Sequence, residues 1–193
     1  MDIFLDKAEP VVAGHVPLPA SKSLSNRALI IRALAPEPFP IHHLAEADDT
    51  QRLLRLLDSE DEVLDAGPAG TTFRFLTALL AFRPGVQVLT GTERMKQRPV
   101  GELVEALRRL GAHIEYLEKE GYPPLRIGEA RPTGLRRLEV RADVSSQFIT
   151  ALLLVAPTLP EGLELELQGP PVSRSYIRMT LALMQHFGVP HRW

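Results

Sequence analysis

Several short stretches of this chain set hydroxyls, small residues and cations at spacings suited to gripping an anion. Lys22 and Arg27 stand five residues apart in Ser21-Lys22-Ser23-Leu24-Ser25-Asn26-Arg27. Together they offer a point charge and a planar fork to one negatively charged group. Gly70-Thr71-Thr72-Phe73-Arg74 puts a glycine where a ligand can approach backbone, with one cation a turn further on. Arg94-Met95-Lys96-Gln97-Arg98-Pro99 gathers cations ahead of a helix, and the proline holds Arg98 extended. Ser145-Ser146-Gln147 supplies two hydroxyls and an amide, and Ser173 and Tyr176 share one helical turn. This is the chemistry of phosphate and carboxylate recognition. Taken singly, each motif reads equally well as a capped or solvated helix start. Gly67 to Thr72 is not a P-loop, because no Lys follows its second glycine. The six histidines lack metal-ligand spacing, and the absence of cysteine excludes thiol chemistry and cysteine-held metal.

The elements that must position these groups are unusually apolar. Ala28 to Ala35, Phe75 to Ala81 and Phe148 to Ala156 each follow a hydroxyl-rich start and leave almost no polar face. A helix apolar on all sides is buried, so its N-terminus opens onto a cleft or the interior. The first-turn N–H groups there are unpaired and the helix dipole is positive, which suits an anion. After each buried helix comes a strand pattern, at Pro40–Leu44, Val86–Leu89 and Leu163–Leu167. An amphipathic second helix follows each strand, with Asp49 and Ser173 as N-caps and Pro99 as a first-turn proline. His42 and His43 would face opposite sides of the first strand. Gly111–Leu117 and Leu125–Ile127 predict a hairpin, and Leu138–Arg141 a further strand. Recurrence of one unit predicts an α/β (α+β) quasi-threefold domain, with buried helices inside and sheets packed around them.

A chain of 193 residues with 45% hydrophobic content is ordinary for a globular protein. Its net charge of −2 argues against nucleic acid as a partner. The apolar run Phe148–Ala156 is too short to span a bilayer, and no signal peptide is evident. The expectation is a cytoplasmic protein with no membrane partner. Where the second repeat continues into a strand and hairpin, the third runs into Trp193, which reads as a cut.

Pro17-Leu18-Pro19-Ala20-Ser21-Lys22-Ser23-Leu24-Ser25-Asn26-Arg27-Ala28 resembles the N-terminal signature of the 5-enolpyruvylshikimate-3-phosphate synthase family. Ala69 to Arg74, Arg94 to Gly101, Tyr122 to Leu125, Val144 to Phe148 and Val172 to Ile177 are similar to its later segments, in family order. The resemblance implies repeated βαβαββ units and two domains. Residues 1–20 would belong to the other, C-terminal domain, and 21–193 to a shikimate-3-phosphate-binding domain truncated at its end. It further implies transfer of the enolpyruvyl group of phosphoenolpyruvate to the 5-hydroxyl of shikimate-3-phosphate, with no metal or cofactor. Lys22 would be catalytic and touch both substrates. Ser23, Arg27, Ser145, Ser146, Gln147, Ser173 and Tyr176 would hold shikimate-3-phosphate, and Gly70 and Arg98 phosphoenolpyruvate. The family's other acid–base groups lie in a C-terminal half that this chain lacks, so binding without turnover is expected. Pro68 and Ala20 depart from the Asn and Gly usual at those places, which bears on phosphoenolpyruvate affinity. The alternatives are a non-catalytic anion-binding domain of the same fold and the related transferase acting on UDP-N-acetylglucosamine. The latter's K-N motif does not match K-S-x-S-N-R.

Overall fold

The computed structural model describes residues 13–193. Helix α3 (Gly70–Ala81) stands at its centre, because its sequence gives it nothing to show to water; every residue but Thr71 is buried. Phe73 and Phe75 point from different sides of the helix and are both buried. Two further helices pack against it: α6 (Ser146–Val155), largely buried, and α1 (Lys22–Leu34), which departs from the expectation by being buried on one face only, with Leu24 and Ala33 exposed. Each full burial of a large side chain such as Phe73 contributes about 2–3 kcal/mol. These three helices are the ones expected from the apolar runs.

The amphipathic helices lie outside them: α2 (Asp48–Leu57), α5 (Gly101–Arg109) and α7 (Arg174–His186). A four-stranded sheet is made of β1 (Val63–Asp65), β2 (Gln87–Thr90), β3 (His113–Tyr116) and β4 (Leu125–Gly128), in the order β1-β2-β4-β3. β1 and β2 are parallel, and the β3–β4 hairpin closes antiparallel onto β2. β5 (Arg137–Arg141) and β6 (Glu164–Gln168) form a separate parallel pair. A short helix α4 (Glu93–Lys96) precedes α5, and a 3-10 turn (Ala156–Thr158) follows α6. Gly111 ends α5 at a φ of +105°, and a Cβ there would lie 2.0 Å from the Arg131 carbonyl oxygen. Only glycine admits that crossing.

Several expectations are corrected. Pro40–Leu44 forms no strand: Pro40 lacks a donor, His43 sits at a φ of 55°, and no neighbouring strand offers pairing among the described residues. His42 and His43 therefore flank no sheet. Asp49 does not cap α2; Ala47 holds that position, and Asp48 and Asp49 fall in the first turn, where the dipole favours carboxylates. Pro99 lies before the cap residue Val100, two positions ahead of α5. Ser173 holds the N-cap position of α7, but its side chain makes no cap bond. β1 and α4 were not anticipated, since stretches of three and four residues carry too little periodicity to read. Residues 1–12 of the proposed N-terminal segment lie outside the described residues; 13–20 form no helix or strand and are almost wholly exposed.

Candidate functional site

The starts of the buried helices are tied together by side chains reaching from one to the next. Arg27, one turn into α1, is 4% exposed and points at α6 and α7. Its Nε donates to Thr180 Oγ1 at 2.7 Å and its Nη1 to the Ser23 carbonyl at 2.8 Å. Its Nη2 donates to Thr150 Oγ1 at 3.4 Å and to the Tyr176 carbonyl at 3.5 Å. The guanidinium also lies 5.6 Å from the Phe75 ring centre and 5.7 Å from that of Tyr176. Helices α1, α3, α6 and α7 thus meet around one buried cation. Burial lowers its pKa to about 10, with Tyr176 acting in the opposite direction, so it keeps its charge at neutral pH.

A second set of links runs along the rim. Lys22 Nζ pairs with Asp49 at 2.9 Å, joining the starts of α1 and α2. Thr72 Oγ1 donates to the Asp49 carbonyl at 3.0 Å, bringing in α3. Gln147 Nε2 donates to Thr71 Oγ1 at 3.2 Å, linking α3 to α6. Ser145 Oγ accepts from Gln147 N at 3.2 Å and so caps α6, while Ser146 is buried beside it. Ser173 takes a left-handed backbone, φ 51° and ψ 45°, and leaves the first N–H groups of α7 uncapped by any side chain. Ala69 likewise gives α3 no side-chain cap. Two helix starts therefore present free donors at the same end of the molecule as Lys22 and Arg27.

The third cluster surrounds Gly70. A Cβ there would come within 2.2 Å of Arg98 Nη1, so the guanidinium of Arg98 lies flat against the glycine. Arg74, 4% exposed, donates through Nη1 to the Gly70 carbonyl at 3.0 Å and through Nη2 to the Pro99 carbonyl at 3.1 Å. It pins the Arg98–Pro99 segment to the start of α3. Burial, and then the charge of Arg98, lower its pKa to about 10. Its Nε is buried without a partner among the described residues. Two cations side by side, one with an unused donor, favour an incoming anion.

All the predicted site residues lie on these helix starts or on the segment beside them. Lys22, Ser23 and Arg27 come from α1, Gly70 from α3 and Arg98 from the turn before α5. Ser145, Ser146 and Gln147 open α6, and Ser173 and Tyr176 open α7. Ser25 and Asn26 of the first motif serve the fold instead, accepting from Ala45 N at 3.0 Å and from Thr50 Oγ1 at 2.7 Å. Sequence reasoning missed Thr150 and Thr180, which hold Arg27, and Asp49, which engages Lys22. A signal was available: Thr150 and Thr180 are lone hydroxyls on apolar faces, each fully buried.

Comparisons with known proteins bear on the family and the fold. Residues 55–191 match the family EPSP synthase (3-phosphoshikimate 1-carboxyvinyltransferase). A 3-phosphoshikimate 1-carboxyvinyltransferase of Bacteroides fragilis is 50% identical over 190 residues, covering 98% of this chain and 46% of that protein. One from Neisseria meningitidis is 44% identical over 198 residues, covering 90% and 46% respectively. Among solved structures, the EPSP synthase of Acinetobacter baumannii shares the fold with a TM-score of 0.77 at 21% identity. That likeness covers 91% of this chain and 44% of that one. The chain thus spans about half the length of the relatives it matches. With its repeated units, its converging helix starts and this match, the chain belongs to the EPSP synthase family.

Proposed function

We propose that this chain is the shikimate-3-phosphate-binding half of a 3-phosphoshikimate 1-carboxyvinyltransferase, acting in the cytoplasm. Residues 21–193 form the binding domain and residues 1–20 belong with the complementary half. The reading is carried by one observation: Arg27 draws α1, α6 and α7 around a buried positive charge that burial alone disfavours. Ser145, Ser146 and Ser173 take the phosphate, where hydroxyls and free helix N–H groups come together. Ser23, Arg27, Gln147 and Tyr176 lie along the ring, and Lys22 reaches both substrates. Gly70 and Arg98 hold phosphoenolpyruvate, with Arg74 fixing Arg98 in place.

In the reaction the 5-hydroxyl gives up its proton as its oxygen bonds to carbon 2 of phosphoenolpyruvate, while carbon 3 takes a proton and becomes a methyl group. The tetrahedral adduct then loses a proton from carbon 3 and expels inorganic phosphate, so the double bond re-forms. Bringing two multiply charged anions together costs Coulomb energy, which a cluster of fixed cations offsets. Lys22 serves as the mobile cation: on substrate arrival it exchanges Asp49 for the phosphoenolpyruvate phosphate and stabilises its departure. The remaining acid–base groups come from the complementary half, so this chain binds without turnover.

Calorimetry with shikimate-3-phosphate, alone and with phosphoenolpyruvate, tests the reading alongside an assay for released phosphate. Saturable 1:1 binding with no phosphate release is the expected result. A folded sample that binds neither compound contradicts it.

A further inference from the structure

The turn at residues 66–69 feeds helix α3, and its own groups have little left to offer an anion. Ala69 N donates to the Ala66 carbonyl at 3.2 Å, and Gly67 N donates to Asp65 Oδ1 at 2.7 Å. Pro68 has neither an N–H nor a polar side chain. Side-chain donors for a ligand beside this turn must therefore come from elsewhere in the fold.

Two guanidiniums lie against the turn and the helix start it leads to, one on each glycine. Arg98 covers Gly70; Arg52, from α2, covers Gly67. A Cβ at Gly67 would lie 2.8 Å from both Nε and the central carbon of Arg52. Gly67 stands at a φ of +59°, so the space Arg52 fills is kept open by a residue without a side chain. Arg52 is half-buried, and its one hydrogen bond among the described residues runs from Nη1 to the Asp65 carbonyl at 3.2 Å. A guanidinium carries five N–H donors, so most of those on Arg52 are unspent. Asp48 and Asp49 lie one turn back on the same helix, but Asp49 engages Lys22. Among the described residues no carboxylate comes within ion-pair distance of Arg52 or Arg98.

A positioned guanidinium with no counter-charge and an open fork suits a phosphate group. Arg52 follows Asp49 by three residues and so neighbours it on the surface of α2, where Asp49 holds Lys22. We infer that Arg52 is a specificity-determining residue of the phosphoenolpyruvate site, donating to the phosphate group from the Gly67 side as Arg98 approaches from the Gly70 side. This deepens the functional reading above and rests on it. Arg52 supplies the donors that Pro68 cannot, and it meets the same phosphate for which Lys22 leaves Asp49. The competing role is purely structural: Arg52 would do no more than tie α2 to β1 through the Asp65 carbonyl.

The test is to titrate phosphoenolpyruvate, and separately inorganic phosphate, into the chain in the presence of shikimate-3-phosphate. Calorimetry is run beside NMR of the Arg52 Nε–H resonance, assigned by its loss in Arg52→Lys. The expected result is a saturable shift of that resonance with both ligands. Arg52→Gln should weaken both about tenfold and leave shikimate-3-phosphate affinity unchanged. An Nε resonance that stays in place at saturating phosphoenolpyruvate overturns the proposal, and this is read on the unaltered chain whatever the variant does. So does an Arg52→Gln chain that binds both ligands as before, or one that loses shikimate-3-phosphate affinity to the same degree, which is the structural outcome. A chain that binds shikimate-3-phosphate but neither of the other two also overturns it. If inorganic phosphate moves the Arg52 resonance while shikimate-3-phosphate does not bind, the functional reading fails and the phosphate site at Arg52 stands.

Discussion

The Arg98 guanidinium rests on Gly70 so closely that a methyl group at Gly70 would sit 2.2 Å from Nη1 and 2.7 Å from the central carbon. The atoms in the way are the tip of a flexible side chain, so they can swing aside while the backbone stays. Gly70→Ala should therefore fold with an almost unchanged melting temperature. Its affinity for phosphoenolpyruvate, measured by calorimetry in the presence of shikimate-3-phosphate, should fall about tenfold, or 1.4 kcal/mol. Unchanged affinity would show that Arg98 does not reach that ligand.

Arg74 separates stability from binding in a different way. Its guanidinium is buried without a counter-charge among the described residues, yet it satisfies two carbonyls. In Arg74→Met the relieved desolvation offsets the lost hydrogen bonds, so urea unfolding should change by no more than about 1 kcal/mol. Phosphoenolpyruvate binding should weaken about tenfold or more, because Arg98–Pro99 is no longer held against α3.

Ser173 trades stability for function. A non-glycine residue at φ 51° costs about 1–2 kcal/mol, and no cap bond repays it. Ser173→Gly should raise unfolding free energy by about 1 kcal/mol while weakening shikimate-3-phosphate binding. A variant that gains stability and keeps full affinity would remove Ser173 from the site.

The pH dependence follows from Arg27 and Arg74, both lowered to about 10 chiefly by burial. The folded values lie below the unfolded ones, so burying the charged forms destabilises the fold at all pH values below about 10. That cost is relieved as pH rises through 10 toward the higher, ordinary arginine value of the unfolded chain. A bound anion offsets the same cost. With a phosphate second pKa of about 6, affinity should be flat from about pH 7 to 9 and fall as pH passes about 10. A decline already complete by about pH 8 would point to another titrating group.

Much of this fold was legible because its helices are extreme. An apolar run such as Phe148–Ala156 permits only burial, and the hydroxyl-rich starts mark the end at which ligand donors collect. The alternation in Leu163–Leu167 was clear for the same reason, and the hairpin followed from Gly121 and the two prolines. Pro40–Leu44 misled because alternation describes which face a strand would bury and says nothing of whether a neighbour exists to pair with. The site residues were readable as motifs. Their wiring was not: Thr150 and Thr180 gain meaning only when Arg27 arrives from a helix more than a hundred residues away. Asp49 likewise looked like a cap and turned out to be the partner of Lys22.

The central claim is that the starts of α1, α6 and α7 form one anion-binding cleft. Titrating shikimate-3-phosphate into the 15N-labelled chain and following its amide resonances tests this most directly. The account predicts saturable shifts concentrated at Ser23, Ser145, Ser146 and Ser173, all sharing one dissociation constant. Shifts confined to one of these helices would contradict it.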